Sequence, residues 1–366
     1  DFTSGCEIYC KTGYDHQRAH EWSQQKGPGD PVRSFIVIGG KNMRTREKLL
    51  DFFEKNKGVY FSGEELAARL SISRTAVWKA VNSLRKDGYE IDAVPNKGYC
   101  LSADTDILSV QGVEKYLEPV CSSIEIDILP TVGSTNDYLR EKALEGQKEG
   151  FTVLSGEQTG GRGRTGRSFY SPADTGIYMS LLLRPENCSP AVAVKFTTMA
   201  AVAACRAIEE VSQKKAQIKW VNDVYIEDKK VCGILTEGAV SLEKGSLEYV
   251  ILGVGINVYP PRGGFPRELE KTAGAVFQEK KSDGKNRLAA GFLNAFMELY
   301  RGKTEQDHAR EYRDRSLVLG KDIQVLLPEG PRKAKAVDID QDCRLEVEYE
   351  DGSREKLAAG EIRILI

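Results

Sequence analysis

A run rich in glycine and arginine, EQTGGRGRTGRSFYSP at residues 157–172, constrains the fold of this 366-residue chain more than any other stretch. The segments on either side, GFTVLSGEQ and TGIYMSLLLRP, contain β-branched and aromatic residues and are bounded by glycine or proline. These are the features of buried strands. The run is therefore predicted to be a loop held between two strands of a folded domain.

The composition of this loop, called here the Gly/Arg loop, predicts a cradle for an anion. Glycine lacks Cβ and tolerates positive φ, so backbone N–H groups can turn toward one point. The guanidinium groups of Arg162, Arg164 and Arg167 would surround that point. A solvated basic loop, a nucleic-acid patch and a disordered Gly/Arg tail are the alternatives. The flanking strands favour the cradle.

Length and composition predict two or three domains of a cytoplasmic protein. No apolar run approaches the ~20 residues of a membrane helix, and no secretory leader is visible. The 8 cysteines lack paired spacing in the body of the chain, which predicts reduced and mostly buried thiols. With only 3 histidines in the chain, no metal site is predicted.

Residues 43–105 are predicted to form a winged helix-turn-helix domain. The segment TREKLLDFFEKNKG has the apolar spacing of a first helix. A second helix, SGEELAARL, opens with Ser62 as N-cap and Glu65 placed to close a capping box. A third, RTAVWKAVNSLRKDG, and the hairpin YEIDAVPNKGYCL complete the unit. The predicted buried positions of the third helix are Val77, Ala80, Val81 and Leu84.

The opposite face of that third helix predicts DNA binding, because its side chains are suited to base edges and phosphates. A three-helix scaffold without a DNA role is the alternative. Such domains usually act as dimers on paired half-sites. The candidate DNA-binding residues are Ser73, Arg74, Thr75, Trp78, Lys79, Asn82 and, at the hairpin tip, Lys97.

Residues 106–316 are predicted to form an α/β domain that carries the Gly/Arg loop. Ser134 or Thr135 caps a helix whose N-terminal amides favour a polar or anionic ligand, although such a cap is often only structural. Lys219 lies in a strand beside Trp220. It either reaches solvent along its alkyl chain or points into a pocket and offers a cation to a carboxylate or α-phosphate.

Five motifs taken together resemble those of the biotin protein ligases. They are GSTN, GEQTGGRGRTGR, KWVND, GILTE and GVGINV, in this order and at roughly the family's spacing. With the winged domain in front, the chain resembles the bacterial ligases that also repress the biotin operon, from about Met43 to the end. It departs from the family where Val221 replaces a common proline and QTGG replaces QQAG. Neither change removes a functional side chain.

The resemblance implies the reaction and its partners. Biotin's carboxylate attacks the α-phosphorus of MgATP, giving biotinyl-5'-AMP and pyrophosphate. A lysine of a biotin carboxyl carrier domain, in acetyl-CoA carboxylase or another biotin-dependent carboxylase, then takes the biotinyl group. The implied ligands are ATP, Mg²⁺ and biotin. Biotinyl-5'-AMP would also act as corepressor, favouring a homodimer on operator DNA.

The resemblance also assigns residues by position. The implied catalytic residues are Lys219, Arg164 and Arg162. The implied biotin-binding residues are Ser134, Thr135, Asn136, Gln158, Arg162, Gly163, Arg164 and Lys219. The implied nucleotide-binding residues are Arg164, Arg167, Asn222, Gly255 and Asn257. A class II synthetase-like fold is implied for the central domain.

Residues 317–366 read as short strands separated by PEGP, DQD and EDG, which predicts a small domain like the family's SH3-like barrel. Two rival functions remain. A biotin sensor without catalysis would need neither Arg164 nor Lys219. A lipoate-type acyl ligase would not be expected to carry GRGRTGR or the winged domain.

Residues 1–42 match nothing in the family and are predicted to be a non-native or disordered leader. The residues GGKN precede Met43, and reverse translation gives a purine-rich run just upstream of an ATG codon. This resembles a bacterial ribosome-binding site and predicts that the biological start is Met43. A genuine regulatory or metal-binding extension is the alternative.

Overall fold

The computed structural model describes residues 7–10, 43–241, 243–302, 305–328 and 330–365. Of the predicted leader, Glu7–Cys10 form strand β1, which pairs in parallel with residues 237–240. The rest of the leader prediction lies outside the described residues.

The N-terminal domain has the predicted order of elements. Helices α1 (Thr45–Lys55), α2 (Gly63–Leu70) and α3 (Arg74–Lys86) precede a hairpin of β2 (Ile91–Val94) and β3 (Gly98–Leu101). The four predicted positions of α3 are buried together with Leu49, Leu50 and Phe53 of α1. This domain therefore has a hydrophobic core of its own.

The N-termini of α2 and α3 are capped by serine side chains. Ser62 Oγ accepts from the Glu65 N–H and Ser73 Oγ from the Ala76 N–H, both at 3.1 Å. The capping box predicted at α2 is wrong in its second half, because the Glu65 carboxylate pairs with Arg69 at 2.7 Å instead. A carboxylate one turn before an arginine has this alternative partner on the helix surface.

The central domain is built on one mixed sheet. Its strands are β4 (Glu125–Leu129), β5 (Phe151–Ser155), β6 (Gly176–Leu183), β7 (Ala216–Lys219), β8 (Asp223–Ile226), β9 (Lys229–Ser241) and β10 (Ser246–Asn257). Their order is β4-β5-β6-β10-β9-β8-β7, with β4 and β5 parallel and the remaining neighbours antiparallel. As predicted, strands β5 and β6 hold the Gly/Arg loop between them.

Helices cover both faces of this sheet. They are α4 (Val110–Glu114), α5 (Thr135–Leu144), α6 (Ala193–Ser212), α7 (Gly284–Arg301) and α8 (Glu305–Asp314). Side chains alternate along a strand, so Leu181 of β6 belongs to the core under α6 and α7 whereas Leu182 packs toward α5. Helix α6 is buried over most of its length and lies at the centre of the core, as its composition predicts.

A C-terminal sheet follows, in the order β14-β13-β12-β11-β15. Its antiparallel strands are β11 (Asp322–Leu327), β12 (Gly330–Ile339), β13 (Leu345–Tyr349), β14 (Arg354–Leu357) and β15 (Glu361–Ile364). Buried residues of these strands, such as Val325 and Leu345, continue the core of the central domain. The C-terminal β-sheet domain is therefore packed onto the central domain through a shared interior.

A buried ionic cluster joins the N-terminal domain to the central one. Lys57 Nζ lies 2.5 Å from Asp283, and Lys115 Nζ lies 2.5 Å from Asp283 and 2.7 Å from Glu54. Burial alone would raise the pKa of Asp283, but hydrogen bonds from Lys115 and Lys57 hold that pKa below its usual value. Two charges of each sign compensate one another here, which fixes the two domains in one orientation.

Free thiols occur at Cys100, Cys121, Cys188, Cys205, Cys232 and Cys343, and all of these except Cys188 are buried, in agreement with the sequence prediction. None of the helices in those ranges is both long and apolar enough to cross a lipid bilayer.

Candidate active site

One pocket brings together residues that are far apart in the chain. It is bounded by the N-terminus of α5, the Gly/Arg loop, the β7–β8 turn, β9, β10 and residues 360–362 of the C-terminal domain. The predicted site residues that line it are Ser134, Thr135, Asn136, Gln158, Arg162, Gly163, Arg164, Arg167, Lys219, Asn222 and Gly255. Asn257 is outside this lining, and its Nδ2 donates to the Gly274 carbonyl at 3.1 Å.

The Gly/Arg loop is folded back on itself by its own backbone. The Gly163 N–H donates to Arg167 O at 2.6 Å, and the Phe169 N–H donates to Gly161 O at 2.9 Å. Positive φ occurs at Thr165 and Gly166. Gly161 serves close approach instead, since a Cβ there would collide with the Phe169 carbonyl. The loop is thus a fixed turn, not an extended tail.

The glycines of β10 also serve close approach. In the structure, a Cβ on Gly253 would collide with Asn136, and one on Gly255 would collide with the Phe169 ring. The glycines make room for protein side chains that form the pocket wall.

Two arginines of the loop are held by the C-terminal domain. Arg164 donates to Asn222 Oδ1 at 3.1 Å and to the Gly360 carbonyl at 3.2 Å. Arg167 pairs with Glu361 at 2.6 Å, and the Thr165 hydroxyl donates to the same carboxylate at 2.9 Å. Residues 360–361 therefore close one side of the pocket, a contribution that no local motif indicates.

Lys219 ends β7, is half-buried and lines the pocket. Burial lowers its pKa, and the nearby carboxylate of Asp223 opposes that change. Asp223 itself pairs with Lys230 at 2.6 Å. Lys219 is thus a partly desolvated cation, the state in which its charge acts most strongly on a neighbouring anion.

The backbone after Lys219 is anchored from two other elements. The Tyr312 hydroxyl of α8 donates to the Val221 carbonyl at 2.9 Å, and Trp220 Nε1 donates to the Cys343 carbonyl at 3.0 Å. The Trp220–Val221 peptide is cis. Cys343 lies in the β12–β13 turn with a φ of 59°.

The residues predicted to bind biotin form hydrogen bonds with one another. The Thr135 N–H donates to Gln158 Oε1 at 2.9 Å, and Ser180 Oγ donates to Asn136 Oδ1 at 2.6 Å. Asn136 Nδ2 donates to Glu237 at 2.7 Å. Sequence reasoning missed Ser180 and Glu237; the signal was a polar residue inside each of the apolar strands YMSLLL and ILTEGAV.

Arg162 belongs to this network rather than to the open side of the pocket. Its Nη2 donates to Glu237 at 2.9 Å and lies 2.8 Å from Asp137. In this arrangement its guanidinium anchors the Gly/Arg loop to β9. Within the described ranges, no cluster of three His, Cys, Asp or Glu side chains forms a metal site.

The candidate DNA-binding residues lie at the start of α3, along α3 and at the tip of the β2–β3 hairpin. Arg74, Thr75 and Lys79 are exposed, Trp78 is 57% exposed and Asn82 is half-buried. Lys97 is exposed at the hairpin tip, 5.7 Å from the Tyr60 ring. Ser73 differs from the others because its hydroxyl oxygen caps α3.

Known families match consecutive parts of the chain. The HTH domain matches residues 45–100, the Biotin/lipoate A/B protein ligase family residues 128–257, and the Biotin protein ligase C terminal domain residues 318–364. The bifunctional ligase/repressor BirA of Bacillus spizizenii is 31% identical over 325 residues, covering 86% of this chain and 97% of that relative. This chain belongs to the biotin protein ligase family.

Other members of the family agree with this assignment. The bifunctional ligase/repressor BirA of Bacillus subtilis is 36% identical over 236 residues, or 64% of this chain and 71% of that protein. A biotin protein ligase from Aquifex aeolicus, solved in complex with biotin and ATP, superposes with a TM-score of 0.55 and 26% identity. The superposition covers 66% of this chain and 98% of the Aquifex chain. A helix-turn-helix domain, a central α/β ligase domain and a C-terminal β-sheet domain are thus shared with known biotin protein ligases.

Proposed function

We infer that this chain is an ATP-dependent biotin protein ligase and a biotin-responsive repressor. It activates biotin to biotinyl-5'-AMP and transfers the biotinyl group to a lysine of a biotin carboxyl carrier domain. The observation that carries this conclusion is the single pocket that places Lys219 and Arg164 beside the polar network of Thr135, Asn136 and Gln158. Cations on one side and a neutral hydrogen-bonding surface on the other suit a carboxylate joined to a neutral ring.

The first step forms a bond between a biotin carboxylate oxygen and the α-phosphorus of ATP and breaks the bond to the pyrophosphate oxygen. Negative charge gathers where these groups meet. Lys219 and Arg164 supply fixed positive charge there, and Asn222 holds the Arg164 guanidinium in place. Catalysis of this kind is mostly positioning and electrostatic stabilisation. In the second step the carrier lysine attacks the biotinyl carbonyl, AMP leaves, and the amine loses a proton.

Mg²⁺ belongs to this scheme as part of the MgATP substrate, where it neutralises phosphate charge. The carboxylates that line the pocket, Asp223 and Glu361, are already paired with Lys230 and Arg167. Magnesium commonly keeps several waters and is held largely by substrate phosphates, which fits such a lining.

The remaining assignments complete the proposal. Ser134, Gly163 and the network residues hold the biotin ring system, while Arg167, Gly255 and Asn257 serve the nucleotide. The central fold is class II synthetase-like, and the C-terminal sheet is an SH3-like barrel. The N-terminal domain binds operator DNA, and the exposed face of α3 supports this assignment. Biotinyl-5'-AMP favours a homodimer. The use of ATP, a carrier domain and operator DNA supports a cytoplasmic location for the chain.

Pyrophosphate release and transfer of labelled biotin to a carrier domain test this function. We expect both to require ATP and biotin. Lipoate used in place of biotin would establish the lipoate-type alternative. Tight biotin binding without pyrophosphate release would establish a sensor without catalysis.

A further inference from the structure

Glu237 is a buried carboxylate directly behind the pocket wall, bonded to the lining residues Asn136 and Arg162. It lies on β9, is 1% exposed and carries no assigned role. Its two oxygens accept from Asn136 at 2.7 Å, Arg140 at 2.7 Å and Arg162 at 2.9 Å. A buried carboxylate is tolerated only when charged donors surround it in this way.

The carboxylate dictates which way the neighbouring amide points. A carboxylate only accepts hydrogen bonds, so the NH₂ group of Asn136 must face Glu237. The amide oxygen of Asn136 then faces Ser180, whose hydroxyl donates to it at 2.6 Å. Ser180 has a single proton, so this bond determines its direction too.

A second chain of bonds is fixed from the backbone. Gln158 Oε1 accepts from the Thr135 N–H at 2.9 Å and from the Thr135 hydroxyl at 3.1 Å. The Gln158 NH₂ group therefore donates to Ser171 Oγ, and the Ser171 hydroxyl donates to the Phe169 carbonyl. The two chains meet at Ser180, because Thr135 Oγ1, 2.8 Å from Ser180 Oγ, is the other acceptor within reach of the Ser180 proton.

These constraints leave Thr135 with a defined character. Its proton is directed into the protein, so the lone pairs of its hydroxyl oxygen are what it offers to the pocket. Without the Glu237 carboxylate, Asn136 could turn over, and the Ser180 hydroxyl would then donate to Thr135 Oγ1 and occupy one of those lone pairs. The pocket would then present a different pattern of hydrogen-bond donors and acceptors to the ring that it binds.

We propose that Glu237 is a positioning residue that sets the donor and acceptor pattern by which the pocket recognises the ureido ring of biotin. It acts through Asn136, Ser180 and Thr135, and at the same time it anchors the Gly/Arg loop through Arg162. This inference rests on the proposed function, because a ureido ring is taken as the ligand. It adds a residue that touches no substrate yet decides which ring binds.

The test is Glu237→Gln in the full chain, with the dissociation constants of biotin and of 2-iminobiotin measured by calorimetry and the KM for ATP measured by pyrophosphate release. We expect biotin binding to weaken at least tenfold, the preference for biotin over 2-iminobiotin to fall at least fivefold, and the KM for ATP to change less than threefold. The change in preference matters most, because 2-iminobiotin differs only where an imino group replaces the ureido oxygen.

Two other carboxylates provide matched controls. Asp127 is also buried and also bonds to α5, through the Tyr138 hydroxyl at 3.0 Å, but it lies outside the network. Asp137 pairs with the same Arg162 but is half exposed. Asp127→Asn and Asp137→Asn should each keep the preference between the two ligands within twofold of the unmodified chain, whatever they do to thermal stability.

A second variant covers the case in which Glu237→Gln does not fold. Ser180→Ala keeps the carboxylate but cuts the link between Asn136 and Thr135, so it should shift the preference in the same direction. Unchanged preference in the folded variants, or equal losses for biotin, 2-iminobiotin and ATP, would overturn the inference. Failure of the unmodified chain to bind biotin would instead refute the proposed function.

Discussion

The N-terminal domain and the ligase pocket use polar side chains in opposite ways. On the N-terminal domain, Thr75, Trp78 and Lys79 stand on an exposed face of α3 above a separate hydrophobic core. In the pocket, Thr135, Asn136 and Gln158 are bonded to neighbouring side chains before any ligand arrives. The pocket is therefore preorganised and spends less free energy on binding than an exposed face whose side chains must still be ordered.

The largest effect should follow from removing the pocket's cation. Lys219→Met should slow adenylate formation by ~100-fold or more, since loss of a fixed charge at the reacting phosphate costs about 3 kcal/mol. Operator binding by the unliganded chain should not change. Pyrophosphate release measures adenylate formation in the pocket, and gel retardation measures operator binding by the N-terminal domain. Near-normal pyrophosphate release would show that Lys219 does not act on the phosphate.

An intermediate effect should follow on the DNA side. Lys79→Ala should weaken operator binding about tenfold and reduce the slope of log affinity against log salt by about 1, as expected for one phosphate contact. Biotinylation of the carrier should stay within about twofold. Lys55→Ala on α1, where the lysine pairs with Asp51, is the matched control. Equal effects of the two substitutions would place the DNA surface elsewhere.

A smaller effect concerns pairs of substitutions, whose free-energy losses should not be additive in the pocket but should be additive on the DNA-binding surface. Thr135→Ala and Ser180→Ala should together weaken biotin binding by less than the sum of the single effects, with a coupling of about 0.5–3 kcal/mol, because both side chains share one network. Lys79→Ala and Lys97→Ala should add within about 0.5 kcal/mol for operator binding. Additive losses in the pocket would mean that its hydrogen bonds act independently.

The smallest effect concerns stability and pH. Because burial lowers the folded-state pKa of Lys219, the unfolded chain holds this proton more tightly. Lys219 therefore costs stability at neutral pH, and the cost is relieved as pH rises through the folded and then the unfolded pKa. Lys219→Met should raise Tm by about 1–3 °C at pH 7, and the gain should shrink in alkaline buffer. Scanning calorimetry at pH 7 and in alkaline buffer would measure both changes in Tm. A lower Tm for Lys219→Met at pH 7 would contradict the prediction.

Local patterns predicted the elements well. The spacing of Val77, Ala80, Val81 and Leu84 indicated the buried face of α3, and the residues beside the Gly/Arg loop indicated β5 and β6. For Lys219 the strand pattern left both a solvent-directed and a pocket-directed side chain open, and the structure puts this residue in the pocket lining. In each case the signal lies within one element, where periodicity and propensity act.

Partners far apart in sequence could not be predicted in this way. Glu361 lies 194 residues beyond Arg167, and no spacing rule connects them. In the sequence, Glu237 and Ser180 are polar residues that interrupt apolar strands. Their role as partners of α5 becomes visible only in the folded structure. Even at short range, the Glu65 carboxylate had two possible partners, the N-cap backbone N–H and the Arg69 guanidinium. In the structure it accepts from Arg69.

The contacts of Gly360 and Glu361 with the Gly/Arg loop have a consequence for protein synthesis. A ribosome makes the loop and Lys219 long before it makes the residues that hold Arg164 and Arg167. The shared interior of the central and C-terminal domains likewise cannot close until β11 to β15 have emerged. An unfinished chain can thus carry Lys219 and the whole Gly/Arg loop and still lack a closed pocket.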